Sequence, residues 1–299
     1  MRENTENLII EKIENLLSEK LGKQIKVKNR HYLGGGCINN AMRLETDNGL
    51  YFFKWNRHCP EDLFVREAES LIELEKAKNE HLRIPGVVLS EKTGNLPGFI
   101  VMEYLSPGRG TRVDEIKLGK GLAQIHLLKN DRFGFYHDNY CGSTPQDNTW
   151  NTDWIDFFGK QRLMHLIKLI QNERNLPYEH VSVYEKLIEK LPGLIPEKSI
   201  PVIIHGDLWS GNYMFTDRGP ALIDPAAYYA DREMEMAIMT MFGGFSQTFW
   251  SAYNEINPLP QDWESRNRLY QIYHILNHYY LFGGGYGPQA YQAARYYTG

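Results

Sequence analysis

The hydrophobic pattern in the first third of the chain is that of short strands. The runs "QIKVKNRHYL", "AMRLETD" and "LYFFKWN" are rich in Val, Tyr and Phe, as strands are. Glycines at 34–36 separate the first two runs, and Asp-Asn-Gly at 47–49, a strong tight-turn signal, separates the last two. The pattern predicts an antiparallel meander, and the later runs "GVVLS" and "FIVMEYL" have the composition of two further strands.

Helical periodicity surrounds these strands. Residues 1–22 place apolar side chains at helical spacing with charges between them, and lack the uninterrupted apolar run of a signal peptide. In "PEDLFVREAESLIELEKA" one predicted helix face carries the apolar residues Leu63, Ala68, Leu71, Ile72 and Leu74. Both segments therefore predict amphipathic helices packed on the sheet.

The pattern changes to helices from Pro107 onward. Helical periodicity runs through "VDEIKLGKGLAQIHLL", "WIDFFGKQRLMHLIKLIQ", "VYEKLIEKL", "REMEMAIMTMF" and "ESRNRLYQIYHILNHYYLF". The stretch "MEYLSPGRG" marks the change, with a proline and two glycines as the linker. We therefore predict an α+β protein with a small sheet-rich lobe, 1–105, a larger helical lobe, 106–299, and a ligand cleft between them.

Composition and charge narrow the functional classes. Hydrophobic residues are 42% and charged residues 23% of the 299 residues, which is typical of a globular protein and not of a disordered one. A formal net charge of -4 leaves no basic field for nucleic acid or anionic lipid, and no segment approaches the roughly 20 apolar residues that cross a bilayer. The odd count of three cysteines favours the reducing cytoplasm over a secreted disulfide framework.

The segment "VIIHGDLWSGNYMF" carries the first candidate chemistry. Four residues separate Asp207 from Asn212, as they separate the base from a metal ligand in protein-kinase catalytic loops. Asp224 in "ALIDP" offers a second carboxylate for a metal. The alternative is structural, because Asp-Pro and His-Gly-Asp are common turn sequences. The motif alone leaves both interpretations open.

The small lobe contains the other elements that phosphoryl transfer requires. The glycines at 34–36 would let backbone N–H groups approach phosphates. Lys54 ends an apolar strand, where an ammonium needs a partner, and Glu67 on the following helix is the candidate. The alternatives are an ordinary hairpin bend, a solvated lysine and a surface glutamate.

The order of these elements favours the catalytic interpretation. Glycine loop, strand lysine, helix glutamate, hinge, H-G-D-x-x-x-x-N and I-D-P follow one another as one mechanism requires. The sequence "DRFGF" at 131–135 looks like a kinase metal motif, but it precedes the catalytic loop and has Arg132 between Asp and Phe-Gly. Asp224 is therefore the better candidate ligand.

The chain resembles the fructosamine kinases, or ketosamine-3-kinases, of the aminoglycoside-phosphotransferase branch of the protein-kinase-like fold. The resemblance covers nearly the whole chain through "GGGCIN", "FKWN", "HGDLWSGN", "IDPAAYYADREMEMA", "MFGGF" and "LFGG". The segment "FGFYHDNYCGSTPQDNTWNTDWIDFFGKQRL" is similar to one that antibiotic and choline kinases lack. The resemblance implies ATP- and magnesium-dependent phosphorylation of the sugar 3-hydroxyl of a ketosamine, whose product falls apart and frees the amine.

The resemblance also implies a role for each site residue. Asp207 would be the base, Asn212 and Asp224 the metal ligands, and Lys54, held by Glu67, the phosphate contact. The residues expected to cover the phosphates or to receive adenine are Gly34, Gly35, Gly36, Asn39, Met102, Glu103, Tyr104 and Leu105.

Several residues near these motifs have open assignments. Trp209 would be a wall for the substrate or a core residue. His205 is expected to orient the loop, and Glu233 and Glu235 to hold loop backbone or Arg232.

Two positions depart from the family or add to it. Ala230 and Asp231 stand where family members commonly have Gly-His, which leaves the conformation of that loop open. Cys37 lies in the glycine loop, where amides lower a thiol pKa, so its oxidation would block ATP as a hypothetical switch.

Two rival functions remain at the level of sequence. One is a kinase for another hydroxyl compound, such as an aminoglycoside or choline. The other is a nucleotide-binding pseudokinase scaffold, which has no need of the base. The sugar, the amine, and the choice between monomer and homodimer stay open.

Overall fold

The computed structural model describes residues 2–34, 39–174 and 176–299. In this part of the chain the predicted meander and the two later strands form one five-stranded antiparallel sheet with the order β1-β2-β3-β5-β4. The strands are β1 (Val27–Leu33), β2 (Asn40–Thr46), β3 (Gly49–Asn56), β4 (Val87–Glu91) and β5 (Gly98–Glu103). The central strands β3 and β5 are buried, as their apolar composition predicts.

The two predicted amphipathic helices are α1 (Arg2–Leu21) and α2 (Leu63–Glu75). Ile9, Ile13 and Leu17 of α1 pack in one hydrophobic cluster with Phe53 and other residues of the sheet. The apolar face of α2 joins the main core, except for Ile72, which is 51% exposed and was wrongly placed on that face. One residue of a helix turns by about 100°, so the neighbour of a buried leucine can point to solvent.

The rest of the chain is mainly helical, as predicted. Its helices are α3 (Arg112–Ile125), α4 (Trp154–Asp156), α5 (His165–Arg174), α6 (Tyr178–Lys190), α7 (Glu233–Met241), α8 (Gln247–Ile256), α9 (Trp263–Phe282) and α10 (Tyr286–Thr298), with a π-helical segment, Phe157–Met164, between α4 and α5. Helices α8 and α10 were not predicted. Both depend on packing, α8 against α3 and α10 against α9 and α6.

Short strands in the helical part were also missed. They form three antiparallel pairs: β6 (Asn139–Cys141) with β7 (Thr144–Gln146), β8 (Val202–Ile204) with β11 (Tyr228–Ala230), and β9 (Tyr213–Thr216) with β10 (Gly219–Leu222). Strands of three or four residues are too short to show alternation. They fix the site, because the loop 205–212 leaves the buried strand β8 and Asp224 follows β10 by two residues.

One hydrophobic core runs from α2 and β5 into the helical part, through Phe64, Ile100, Tyr228 and Met236 among others. The sheet ends at Glu103, and the division of the chain into lobes at 105/106 stays a prediction. Across the described ranges no helix combines the length and the apolar character that a membrane span needs.

Candidate active site

The loop 205–212 is held by backbone contacts to a buried carboxylate. Glu235, which is fully buried at the start of α7, accepts hydrogen bonds from the backbone N–H of His205 at 2.5 Å and of Gly206 at 3.1 Å. Gly206 has a φ of +84°, and a Cβ there would lie 2.1 Å from the carbonyl oxygen of Ala226. The loop therefore requires glycine at 206 and an acceptor below it.

His205 orients this loop, as expected from the sequence. Its Nε2 donates to the carbonyl oxygen of Ile223 at 2.8 Å, and its Nδ1 accepts from the backbone N–H of Asp207 at 3.3 Å. Burial lowers the pKa of His205, although Glu235 and the bond to Ile223 act in the other direction. A neutral ring is the form that can donate and accept at once.

Asp207 and Asn212 lie in contact across the loop. The side-chain amide of Asn212 donates to the carbonyl oxygen of Asp207 at 2.8 Å and to its Oδ2 at 3.1 Å. Burial, with the negative charges of Glu235 and Asp224, raises the pKa of Asp207 to about 8, although the bond from Asn212 lowers it. A carboxylate with a raised pKa is a stronger proton acceptor, which suits a general base.

Lys54 joins the sheet to the helical part. Its ammonium, on a side chain only 6% exposed, lies 2.6 Å from Glu67 Oε1 on α2 and 2.9 Å from Asp224 Oδ1. Burial would lower the pKa of Lys54, but the two carboxylates outweigh it and raise the pKa. Three elements distant in sequence thus place one cation beside two anions.

Asp224 has an unusual backbone. With φ at 56° it is the one non-glycine residue in the described ranges with a positive φ, a conformation that aspartate tolerates better than most residues. Its side chain is 48% exposed, and Lys54 holds the pKa of the carboxyl below its usual range although burial opposes this. Strained backbone of this kind concentrates at functional sites.

The expected nucleotide-binding residues are only partly described. Gly34 is exposed, and no atom of the described residues lies within 4 Å of the position that a Cβ would take there. Asn39 is held by the side-chain amide of Asn56, which donates to its Oδ1 at 3.0 Å. Gly35 and Gly36, like Cys37 and its proposed oxidation, lie outside the described residues.

In the segment expected to receive adenine, one backbone N–H group is already hydrogen-bonded within the protein. The backbone N–H of Glu103 donates to the carbonyl oxygen of Gly86 at 2.8 Å, so it cannot also serve adenine. The other expected residues of this segment are Met102, which is buried on β5, Tyr104, whose ring lies 5.7 Å from the guanidinium of Arg43, and Leu105, which is 9% exposed. The carbonyl oxygen of Ser106 is also occupied, by the backbone N–H of Asp217, so the candidate groups for adenine are those of Tyr104 and Leu105.

Trp209 is not a core residue. Its side chain is 40% exposed, and its ring meets that of Phe242 edge to face at 6.4 Å. Of the two sequence-based alternatives, core packing is wrong. The exposed ring lies two residues from Asp207.

The two glutamates of α7 have separate partners. Glu235 holds loop backbone, as expected, but Glu233 pairs with Arg266 at 2.6 Å and not with Arg232. Arg232 instead donates to Asn257. Asp231 accepts from the backbone N–H of Glu233 at 2.8 Å, so the departure from Gly-His coincides with a bond at the start of α7.

Sequence reasoning missed the contacts of residues 133–148 with α2. Tyr140 donates to Asp62 at 2.8 Å, and His137 lies 3.1 Å from Glu69. A third contact reaches α2 from β11, where Tyr229 donates to Glu73 at 2.7 Å. The contacts fix the helix that carries Glu67.

The same segment holds the backbone after Asp224. The side-chain amide of Asn139 donates to the carbonyl oxygen of Ala227 at 2.8 Å, and Asn139 accepts from Gln146 and Asn148 at the same distance. Asn148 in turn accepts from Arg162 at 2.7 Å. The density of Asn and Gln in this stretch is the one sequence signal that could have indicated a buried amide network.

Comparison with known proteins identifies the family. The family model described as fructosamine kinase matches residues 9–297. The chain is 38% identical over 279 residues to the chloroplastic protein-ribulosamine 3-kinase of Arabidopsis thaliana, covering 90% of this chain and 82% of that protein. It is 34% identical over 301 residues to the ketosamine-3-kinase of Mus musculus, covering 92% and 96%.

Solved structures show the fold. A Haemophilus somnus protein assigned as a fructosamine-3-kinase superposes with a TM-score of 0.84 at 24% identity, covering 96% of this chain and 97% of that one. An aminoglycoside phosphotransferase bound to AMP-PNP and hygromycin B gives 0.63 at 14% identity, with coverage of 96% and 97%. The predicted α+β, protein-kinase-like fold is confirmed. The chain belongs to the fructosamine kinase family.

Proposed function

We propose that this protein is an ATP-dependent ketosamine 3-kinase that phosphorylates the sugar 3-hydroxyl of fructosamine or ribulosamine adducts. The observation that carries the proposal is the pairing of Lys54 with both Glu67 and Asp224 beside the Asp207–Asn212 contact. The two are joined where the backbone N–H of Ile223, the residue before Asp224, donates to the carbonyl oxygen of Asn212 at 3.0 Å. This arrangement brings a phosphate-binding cation, a candidate base and two candidate metal ligands together. The names of the Arabidopsis and mouse relatives support the choice of substrate.

The donor set fits magnesium. Mg²⁺ prefers carboxylate and amide oxygens, and Asp224 and Asn212 supply one of each. The NH₂ group of Asn212 faces Asp207, so its Oδ1 is left to act as a ligand. Bound there, magnesium would neutralise charge on the transferring phosphate.

The protein residues then divide the work. Lys54 binds phosphate oxygens while Glu67 keeps its ammonium in place. Asp207 accepts the proton of the attacking hydroxyl, and His205 with Glu235 hold the loop that aims it. Asn39, Gly34 and the other glycines of that loop cover the phosphates, and backbone groups after Glu103 receive adenine beside Met102.

The product would release the amine, so the reaction serves deglycation. The cytoplasmic location, the choice between monomer and homodimer, and the lack of nucleic-acid and membrane partners stay predictions. A kinase for aminoglycosides or choline is the rival enzyme. It has the same fold and no observation of its own in its favour.

The test is ATP turnover with Nα-acetyl-lysine carrying fructosyl or ribulosyl on Nε, an aminoglycoside and choline, with the phosphate position read by ³¹P NMR. We expect phosphate on the sugar 3-oxygen of the ketosamines alone. Asp207→Asn should lower kcat by several orders of magnitude and keep ATP binding, because the base acts in the chemical step. Asp131→Asn, an exposed aspartate on another loop, is the matched control. Phosphorylation of only the aminoglycoside or choline would refute the proposal.

A further inference from the structure

Four aromatic side chains beside the candidate base form a continuous surface, which we call the aromatic ledge: Trp209, Phe242, His278 and Phe282. The ring of Phe242 meets Trp209 at 6.4 Å and His278 at 5.1 Å, and His278 meets Phe282 at 5.7 Å. Trp209, Phe242 and Phe282 are 40%, 44% and 60% exposed. Large aromatic rings exposed together mark a binding surface more often than chance.

Two similar sequence motifs place Phe242 and Phe282 of this ledge at helix ends. Phe242 directly follows α7, and Phe282 is the last residue of α9. Each is followed by two glycines with positive φ: 71° and 99° at 243 and 244, 67° and 62° at 283 and 284. These are the "MFGG" and "LFGG" motifs, which have no part in the roles assigned to the catalytic residues. The glycines turn the chain away and leave both rings uncovered.

The ledge meets the catalytic loop directly. Trp209 is two residues from Asp207, and a Cβ on Gly211 would lie 2.3 Å from its ring. A Cβ on Gly244 would lie 2.4 Å from Ser210, so the turn after Phe242 packs on the same loop. A substrate whose hydroxyl reaches Asp207 therefore lies next to the ledge with its remaining part.

The chemistry of the ledge suits a cation. The faces of Trp and Phe rings attract ammonium groups. His278 Nδ1 lies 2.8 Å from the carbonyl oxygen of His274, to which it can only donate, so Nε2 is left as an acceptor. Burial lowers the pKa of His278, although the bond to His274 opposes this, and the ring stays uncharged at neutral pH.

The backbone near the ledge adds to its preference for a cation. Helix α7 ends at Met241, so its partly negative C-terminal end faces the turn that starts at Phe242. The nearest arginine of α5, Arg174, is occupied by the carbonyl oxygens of Tyr280 and Leu281 at the end of α9. These bonds hold the guanidinium at the end of α9, but they do not cancel its positive charge.

We propose that the aromatic ledge binds the protonated secondary amine of the ketosamine and the alkyl stem attached to it. The proposal rests on the function proposed above and names the feature that separates a ketosamine from a plain ketose. The ammonium lies against the rings of Phe242 and Phe282 and donates to Nε2 of His278, whose ring lies between them. Trp209 borders this position on the side of the base, and the stem leads past Phe282 toward solvent. An exposed outer end leaves room for an amine carried by a peptide or a protein.

The test compares two substrates of the same length. One is Nα-acetyl-Nε-ribulosyl-lysine, a secondary ammonium, and the other is the 1-O-alkyl ether of ribulose, which is neutral. Phe242→Leu and Phe282→Leu should raise KM for the ammonium compound roughly 5- to 30-fold, and change the ether's KM less than threefold, with kcat and the KM for ATP preserved. Phe282→Trp, unlike Phe282→Leu, should keep the preference for the ammonium compound, because Trp is the strongest cation-binding ring.

Tyr178→Leu, at an aromatic side chain 81% exposed on α6, is the matched control and should change neither substrate. Equal effects of the Phe variants on both substrates, or no effect on either, would overturn the ledge as an ammonium site. Calorimetric binding of the same two compounds needs no turnover. If the wild-type protein phosphorylates no ketosamine, the proposed function fails, whereas equal binding of ammonium and ether by the wild type refutes the ledge alone.

Discussion

Two buried cations of this molecule are stabilised in opposite ways. Lys54 is compensated by two carboxylates, Glu67 and Asp224, at 2.6 and 2.9 Å. Arg162, in the π-helical segment, is fully buried and has no carboxylate partner in the described ranges. It donates to neutral oxygens at 2.6 to 3.0 Å, and its guanidinium stacks on the ring of Tyr228 at 3.9 Å.

The two cations also differ in how far phosphate or metal ions can reach their partners. The carboxylate of Asp224 is nearly half exposed, so a phosphate or a metal can compete for the partners of Lys54. The oxygens around Arg162 come from Asp147, Asn148 and Gln161, and no anion can reach the guanidinium. A buried cation that takes part in chemistry therefore keeps one exchangeable partner, and a structural one does not.

The largest expected effect is the loss of catalytic activity when Lys54 is replaced, which we do not expect at Arg162. Lys54→Met should lower kcat/KM for ATP by about 10²- to 10³-fold, because it removes a charge aimed at the transferring phosphate. Unfolding should change little, since burial already raises the pKa of Glu67 to about 7 against the pull of Lys54, and the carboxyl can take up a proton. Turnover and urea unfolding are measured, with Lys78→Met, a 72% exposed side chain, as the control. Turnover within threefold of the wild type would contradict the assignment.

The second prediction concerns Arg162, where we expect a large effect on stability and a small effect on activity. Arg162→Met should lower the free energy of unfolding by about 3 kcal/mol, because the acceptors it leaves behind are buried and unpaired. Arg162→Lys should recover only part of this, since an ammonium lacks the planar fork that stacks and donates at once. At temperatures where the variants stay folded, we expect the KM for ATP to be near that of the wild type. A large change in that KM, with unfolding unaffected, would make Arg162 a functional residue.

A third buried basic group, His274, extends the comparison because it carries no charge. Burial lowers its pKa from 6.5 to about 3, although a bond to Met234 and the charge of Glu235 act the other way. The unfolded chain therefore binds a proton below pH 6.5 that the native state does not. Stability should fall as the pH falls, by about 2 kcal/mol at pH 5 from this group.

The measurement is urea unfolding between pH 7 and 5 for the wild type and His274→Gln. The variant should have a shallower pH dependence, by up to about 1.4 kcal/mol per pH unit. The remaining slope belongs to the other groups whose pKa changes on unfolding, among them the buried histidines His126 and His205 and the buried carboxyls of the site. Identical slopes would mean that His274 does not titrate on unfolding.

The smallest expected effect is a stability difference at Asp224, the exchangeable partner of Lys54. Asp224→Gly and Asp224→Ala both remove the carboxylate, and both should abolish the magnesium dependence of nucleotide binding. The glycine variant should be more stable than the alanine variant by about 1 kcal/mol, because a φ of 56° is costly for a residue with a Cβ. Thermal unfolding of the pair measures the difference. Equal stability would argue against backbone strain at this residue.

The sequence predicted the fold class and five strands of the sheet because long apolar patterns and an Asp-Asn-Gly turn are local signals. It also led to the Lys54–Glu67 contact, since a lysine in an apolar strand requires a partner. The sequence could not predict that Asp224 is a second partner of Lys54, because that contact depends on how the loop after β10 meets the sheet.

The amide network and the ledge were missed for a similar reason. Asn139 and Arg162 acquire their roles from non-local packing, which leaves no periodic pattern in the chain. Phe242 and Phe282 were noted only within motifs, because exposure is a property of the folded surface.

The three hydrogen bonds that fix α2 bear on whether the site is assembled in advance of its substrates. Asp62, Glu69 and Glu73 hold the helix at its start, middle and end. Contacts at three places along its length oppose an outward movement of α2. We therefore expect the Lys54–Glu67 pair to be formed before nucleotide binds, so that the protein is pre-organised for phosphoryl transfer.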